Sequence, residues 1–319
     1  MIRTHILRGE TGAVCDLPLP AAFSAGPDDV VWVDMEAPTP EEIALLSERW
    51  QFHPLAIEDC IHAQRRAKFE RYATHGFLVF QALDRSTEEE LDTVGVCVFL
   101  RRHLVVTVRP PTITALDHVL DALKRYPEQV GNSTDRLLHA ILDASIDEFT
   151  LVMYQLEEKV DVLEALAAGM DQERLVDGLV RVRRALLHLR RIILPLREVI
   201  RRFTGEDNPD VRAEERIYFR DVLDHVDVIA DTTHLLLDIC NGALQVHANV
   251  VNERLNQVMK YMAIVSTLLL PMTVISGAFG MNFKLIPISD DPDGFWIAIG
   301  MMVACAGLLL GIFRYRRWF

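Results

Sequence analysis

The hydrophobic positions change period along the chain. Val30 to Asp34, Gly76 to Phe80, Val94 to Leu100 and His103 to Val108 are short β-rich runs that predict strands of one sheet. Between the first two, Thr39-Pro40-Glu41-Glu42 predicts a helix start, with proline in the first turn and acids at the positive end of the dipole, leading into Ile43-Ala44-Leu45-Leu46. This α/β part ends near Pro110-Pro111. Beyond it, apolar residues recur at helical spacing through Leu137, Leu138, Ile141, Leu142, Ile146 and Phe149 to Leu163 and Leu166, predicting two or three long helices. Thr204 to Pro209 is a polar break, after which a helical pattern runs from about Val211 to Phe279 with only Gly242, Pro271 and Gly277 to interrupt it. One helix of about 69 residues would be roughly 100 Å long, too long for the core of one globular domain, and is expected to form a stalk.

The last quarter of the chain is the most apolar. Tyr261 to Phe283 and Phe295 to Phe313 are uncharged over 23 and 19 residues. As helices, both are long enough to cross roughly 30 Å of hydrocarbon, so two membrane spans are expected. Charge divides at the same place: the 319 residues net −13, of which residues 260–319 carry +2 and the rest −15. An acidic body excludes a nucleic-acid binder, and a half-hydrophobic composition excludes a disordered chain. Met1 to Arg8 contain no long apolar stretch and no small-residue cleavage site, so no secretory signal is expected. Lys260 before the first span, and Arg314, Arg316 and Arg317 after the second, flank a connection that nets −2 from Lys284 to Gly294. The positive-inside rule then puts both termini in the cytoplasm and the acidic connection outside. Cys15, Cys60, Cys97, Cys240 and Cys305 form no CxxC pair and read as reduced, mostly packed thiols.

On the first span, Asn256, Met259 or Lys260, Ala263, Ser266 or Thr267, Leu270, Thr273 or Val274 and Gly277 share one helical stripe, small, polar and uncharged apart from Lys260 at its edge. Such a stripe either lets membrane helices pack closely or lines a pore. One chain with two spans encloses no pore, so a pore requires several copies around an axis. Gly280-Met281-Asn282 closes this span, with Phe283 next and Pro287 shortly after.

That triplet between two C-terminal spans resembles the signature of the CorA family of magnesium transporters. Pro271 to Gly277, Asn256 to Lys260, Leu194 to Val199, Phe219 to His225, Ile229 to Thr232 and His53 to Asp59 are also similar to family segments, so the resemblance covers nearly the whole chain. Arg65-Arg66-Ala67-Lys68 departs from the family's Arg-Pro-Lys, and Ala263 stands where some members carry a pore-facing threonine.

The resemblance implies an α+β membrane protein that assembles as a homopentamer in the lipid bilayer. Each subunit would have a cytoplasmic α/β domain (residues 1–115), a helical region (116–205), a stalk running into the first span (206–280), an external loop with the triplet (281–294), and the second span with a basic tail (295–319). It implies an axial pore along Asn256, Met259, Met262, Ala263, Leu270, Thr273 and Gly277, with Gly280, Met281 and above all Asn282 forming the outer ring that receives Mg²⁺. A ring of neutral amide oxygens can bind the hydration shell of Mg²⁺ without stripping it. No Asp or Glu lies between Lys260 and Lys284, so passage is expected to be channel-like. Two charges gain roughly 4.6 kcal/mol per 100 mV in an inside-negative potential, and no phosphate-binding loop is present. Met259, Met262 and Leu270 match the family's apolar constriction, a dewetting gate or simple helix packing. Asp290, Asp291 and Asp293 would ring the outer mouth and attract cations, or merely space the spans.

The resemblance further implies regulatory Mg²⁺ between protomers in the cytoplasm. Asp221 holds the matching stalk position and Asp84, after the Phe77 to Phe80 strand, is its candidate partner; otherwise Asp221 is an exposed stalk acid. The rival readings are a Zn²⁺, Co²⁺ or Ni²⁺ transporter of the related ZntB branch, and a membrane-anchored Mg²⁺ sensor that conducts nothing. No nucleophile and base pair points to an enzyme. His53, Glu58, Asp59, Cys60 and His62 read as packing and capping, and His225, His234 and His247 as solvated or interface histidines. The nine arginines from Arg174 to Arg202 are expected to pair with acids on neighbouring helices.

Overall fold

A computed structural model describes residues 1–8, 13–19, 26, 29–62, 66–85, 91–130, 133–166, 172–206, 208, 211–281, 293–316 and 318. The chain divides into two units, Met1–Ala243 and Leu244–Phe319.

The first unit is built on a seven-stranded sheet of order β2-β1-β3-β7-β6-β5-β4. Its strands are β1 (Ile2–Leu7), β2 (Ala13–Leu17), β3 (Val30–Glu36), β4 (Lys68–Arg71), β5 (Gly76–Leu83), β6 (Thr93–Arg101) and β7 (Leu104–Arg109). The four expected runs are β3, β5, β6 and β7. β1 and β4 were not legible because charged and polar residues break their alternation, as in Lys68-Phe69-Glu70-Arg71. All neighbouring pairs are antiparallel except β3 with β7, which run parallel from Val31 opposite Leu104 to Glu36 opposite Arg109.

Both faces of the sheet are covered, and so β5 is buried at every position. On one face α1 (Pro40–Glu48) and α2 (Pro54–Ile61) lay Leu46, Ala56 and Ile57 on Val33, Met35, Phe77 and Phe99. Thr39 starts α1 with a reciprocal capping box, its hydroxyl accepting from Glu42 N (3.3 Å) while Glu42 accepts from Thr39 N (2.9 Å). His53 Nδ1 caps α2 by accepting from Leu55 N at 3.2 Å.

The other face meets α3 (Thr114–Arg125) and α5 (Thr134–Leu166), with the short α4 (Pro127–Val130) between them. It carries a buried polar chain. Trp32 Nε1 donates to Thr107 Oγ1 (2.9 Å), which donates to Asp34 Oδ1 (2.7 Å). Arg109 forks onto Asp34 (3.0 Å) and reaches Ile113 O (2.9 Å) and Asp117 (2.7 Å). The charges of Arg109 and Asp34 are both fully buried, which is tolerable only because each is paired and hydrogen-bonded.

α6 (Gln172–Thr204) and α7 (Arg216–Phe279, 64 residues) complete the helical layer. Helix α7 starts at Arg216 rather than near Val211 because Arg212 to Glu215 form a turn held by Glu215 N to Arg212 O (3.0 Å). Of the α6 arginines, Arg197 pairs with Asp227 of α7 as expected, whereas Arg183 donates to the Asn241 amide (2.8 Å) and Arg201 pairs with Glu198 inside α6.

The second unit holds the remainder of α7 and α8 (Gly294–Tyr315), both long and apolar enough to cross a membrane. Just beyond Phe279, Gly280 N still donates to Ser276 O at 2.9 Å in the helical pattern, and Met281 N reaches Ala278 O at 3.4 Å.

Candidate functional site

Two ends of α7 carry chemistry. The first is fixed by a clamp where α5 and α7 begin. Asp135 accepts from Arg212 through Nε (3.0 Å), Nη2 (3.2 Å) and the backbone N–H (3.0 Å). The next residue, Arg136, pairs with Glu215 (3.1 Å) and lays its guanidinium 3.5 Å from the centre of the Tyr218 ring. One turn on, His139 packs edge-on against Tyr218 (5.6 Å) and Phe219 (5.9 Å). Each step advances both helices together, so the following turns of α5 and α7 face each other.

Those turns bring together Asp143, Asp147 and His225, whose ligand atoms all lie within 4.8 Å of one another. Asp221, one turn before His225, contributes its charge to the same place. Burial together with the charges of Asp147 and Asp221 pushes the Asp143 carboxyl above its ordinary value, against the opposing influence of His225. Burial and then Arg136 lower His139 to about 4, and Asp221 opposes the shift. Asp143 and Asp147 offer carboxylate oxygens and His225 a ring nitrogen, ligand types that divalent metal ions take.

Of the two expected regulatory acids, Asp221 stands beside this cluster, while Asp84 is half-buried after β5 with its N–H bonded to Asp92 O (3.0 Å) and is not one of the clustered residues. The grouping of Asp143, Asp147 and His225 was missed. The available signal was a pair of i,i+4 spacings, Asp143 with Asp147 and Asp221 with His225, each placing two ligands on one helix face. Beside the cluster, a cavity of about 370 Å³ is lined by Arg85, Thr114, His118, Asp147 and Glu148 among others.

The second end lies in the apolar half of α7. Asn256, Met259, Met262, Ala263, Leu270, Thr273 and Gly277 are all exposed on the single chain, as are Gly280 and Met281 after it. Thr273 donates its hydroxyl to Leu269 O (2.9 Å), so that hydroxyl is satisfied within the helix. Asn282, Asp290 and Asp291 lie outside the described residues, and Asp293 sits immediately before the first turn of α8.

The first unit is an α/β body, and a helix of 64 residues shared between the two units and a second apolar helix are both long and apolar enough to cross a membrane. The chain matches the CorA-like Mg²⁺ transporter protein family over residues 27–316, and it belongs to that family. YfjQ of Bacillus subtilis is 30% identical over 288 residues, 90% of this chain and 89% of that one. The cobalt/magnesium transport protein CorA of Thermotoga maritima is 29% identical over 276 residues, 86% of this chain and 78% of that one. The complete structure of the CorA magnesium transporter from Methanocaldococcus jannaschii matches with a TM-score of 0.80 at 22% identity, covering 100% of this chain and 99% of that one. The protein is a membrane transporter of divalent metal ions.

Proposed function

We propose that five copies of this chain form a channel for Mg²⁺ influx through the inner (plasma) membrane, with both termini cytoplasmic, driven by the membrane potential and closed by Mg²⁺ inside the cell. The observation that carries this reading is the composition of α7. A single helix bears Asp221 and His225 near its start and, in its apolar half, the stripe from Asn256 to Gly277 that is uncharged apart from Lys260 at its edge, with the Gly280-Met281-Asn282 triplet just beyond its end.

The mechanism follows from charge. A hydrated Mg²⁺ meets amide oxygens of Asn282, which exchange hydrogen bonds with its water shell instead of replacing it. Asp290, Asp291 and Asp293 raise the local cation concentration at the mouth. Met259, Met262 and Leu270 form the narrow apolar stretch, which holds water poorly and closes easily. Inside, a cation at Asp221, with Asp143, Asp147 and the family-matched Asp84 as candidate partners, neutralises like charges. Its loss restores their repulsion, separates the elements that carry them and favours the open pore.

Proteoliposomes with a Mg²⁺ indicator inside and an imposed inside-negative potential test this. Mg²⁺ enters through the parent protein, entry is abolished in Asn282→Ala, and Asp221→Ala conducts but loses inhibition by internal Mg²⁺. Entry of Zn²⁺ or Co²⁺ but not Mg²⁺ would replace the ion. No entry of any of them through an assembled protein would leave a Mg²⁺ sensor and overturn the channel.

A further inference from the structure

The charges at the start of α5 and α7 are interlocked rather than paired one to one. The buried Asp135 carboxylate takes both the guanidinium and the backbone N–H of Arg212. Arg212 also reaches Glu215 at 3.2 Å, the acid that Arg136 holds at 3.1 Å, so two arginines and two acids lock the turn entering α7 onto the first turn of α5. The Arg136 guanidinium then covers the Tyr218 ring at 3.5 Å. The lock continues inward. Fully buried Phe219 packs on Phe203 of α6 at 5.3 Å, and Phe203 meets Phe69 of β4 edge-on at 4.9 Å. The start of α7 is thereby held by α5, α6 and the sheet at once.

Arg136 precedes Asp143 by seven residues on α5, and Tyr218 precedes His225 by seven on α7. Seven residues are close to two turns, about 10.5 Å, so on each helix the stacked residue and the later one share a face. Both helices run the same way from the stack to the cluster, and a slip of α7 at Tyr218 therefore carries His225 by the same amount. Divalent ions hold their ligands at about 2.0–2.6 Å, so a displacement of about 1 Å takes a ligand out of reach. We propose that Arg136, Arg212 and Tyr218 are positioning residues for the internal cation: they stand outside the cluster, keep His225 and Asp221 in register with Asp143 and Asp147, and so set how tightly the ion is held. The inference rests on the reading of that cluster as a cation site. Its sign is opposite to that of simple electrostatics. Removing a positive charge near a group of acids tightens cation binding by Coulomb attraction alone, whereas removing a positioning residue weakens it.

Full-length protein in detergent is titrated with Mn²⁺ while free Mn²⁺ is counted by electron paramagnetic resonance, and circular dichroism checks the fold of each variant. The parent should bind Mn²⁺ at a site that Asp143→Ala removes. Arg212→Ala and Tyr218→Ala should weaken that site at least about tenfold. Arg212→Lys, which keeps the charge but not the fork, should weaken it less, and Tyr218→Phe, which keeps the ring under Arg136, should match the parent. Should Arg212→Ala unfold, Arg212→Lys and Tyr218→Ala carry the test. Unchanged or tighter binding in the folded variants, or a loss in Tyr218→Phe equal to that in Tyr218→Ala, would overturn the positioning role alone. A parent whose Mn²⁺ binding is indifferent to Asp143→Ala would overturn the cluster as a cation site, and this inference with it.

Discussion

Residues 1–243 and 244–319 use the same apolar side chains in opposite ways. In the first unit Trp32, Phe77, Phe80 and Phe99 are wholly buried, and even the charges of Arg109 and Asp34 are enclosed and paired. In the second, Leu270, Val274, Val303 and Leu308 are each between 63% and 68% exposed on the single chain, and no charge occurs between Lys260 and Lys284. A water-facing body hides apolar surface and satisfies its buried polar groups internally. A span does the reverse at its surface, because hydrocarbon accepts side chains of leucine and valine but leaves a charge unsolvated. Helix α7 passes from one regime to the other as one continuous helix, although Pro271 inside it has no N–H to give to the preceding turn. The solvent matched to each stretch is written in side chains, not in secondary structure.

The contrast can be broken most forcefully at Arg109. Replacing it with alanine leaves Asp34 buried without its partner and is expected to cost about 3–5 kcal/mol, read as an earlier urea midpoint by tryptophan fluorescence. A cost under about 1 kcal/mol would mean that water reaches the pair, contrary to its burial. In the other unit, Leu269→Asp places a charge near the middle of the first span and should raise its insertion free energy by about 3 kcal/mol. A glycosylation-mapping assay of membrane insertion measures it, and unchanged insertion would remove this stretch from the bilayer.

Acid should weaken the first unit through two histidines. Burial first, then Arg101, lowers His75 to about 4, and His139 sits at about 4 for the reasons above. Both take up protons more readily when unfolded, so their neutral folded forms are favoured above pH 6.5, and that stability is lost as pH falls from about 6.5 toward 4. Thermal unfolding of the parent and of His139→Phe across that window tests it; equal pH slopes would contradict the shift at His139. Smallest is Thr39→Ala, which removes one half of the α1 capping box and should cost about 1 kcal/mol, with faster amide exchange confined to the first turn of α1.

Much of this was open to reading in one dimension. The runs at Val30, Gly76, Val94 and His103 announced four central strands because each is rich in β-branched or aromatic residues, and Thr39-Pro40-Glu41-Glu42 announced a cap that depends only on residues three apart. The two apolar stretches were equally plain, since span length and absence of charge are local properties. Asp221 was singled out by resemblance, whereas Asp143 and Asp147 were overlooked, their i,i+4 spacing being unremarkable on any acidic helix.

The amino-acid sequence by itself determined the elements whose cause lies within a turn or a strand: the central strands, the first helix and its cap, the two spans and the triplet that marks the family. Only the tertiary structure decided which of them meet. The parallel pairing of β3 with β7 joins residues about seventy positions apart and lets Arg109 reach Asp34. The clamp of Asp135 on Arg212 sets α5 against α7 and thereby carries Asp143 and Asp147 to His225. Local spacing chooses the face on which a side chain stands, but the partner of that face is selected by the packing of the whole body, a many-body outcome that no window along the chain contains.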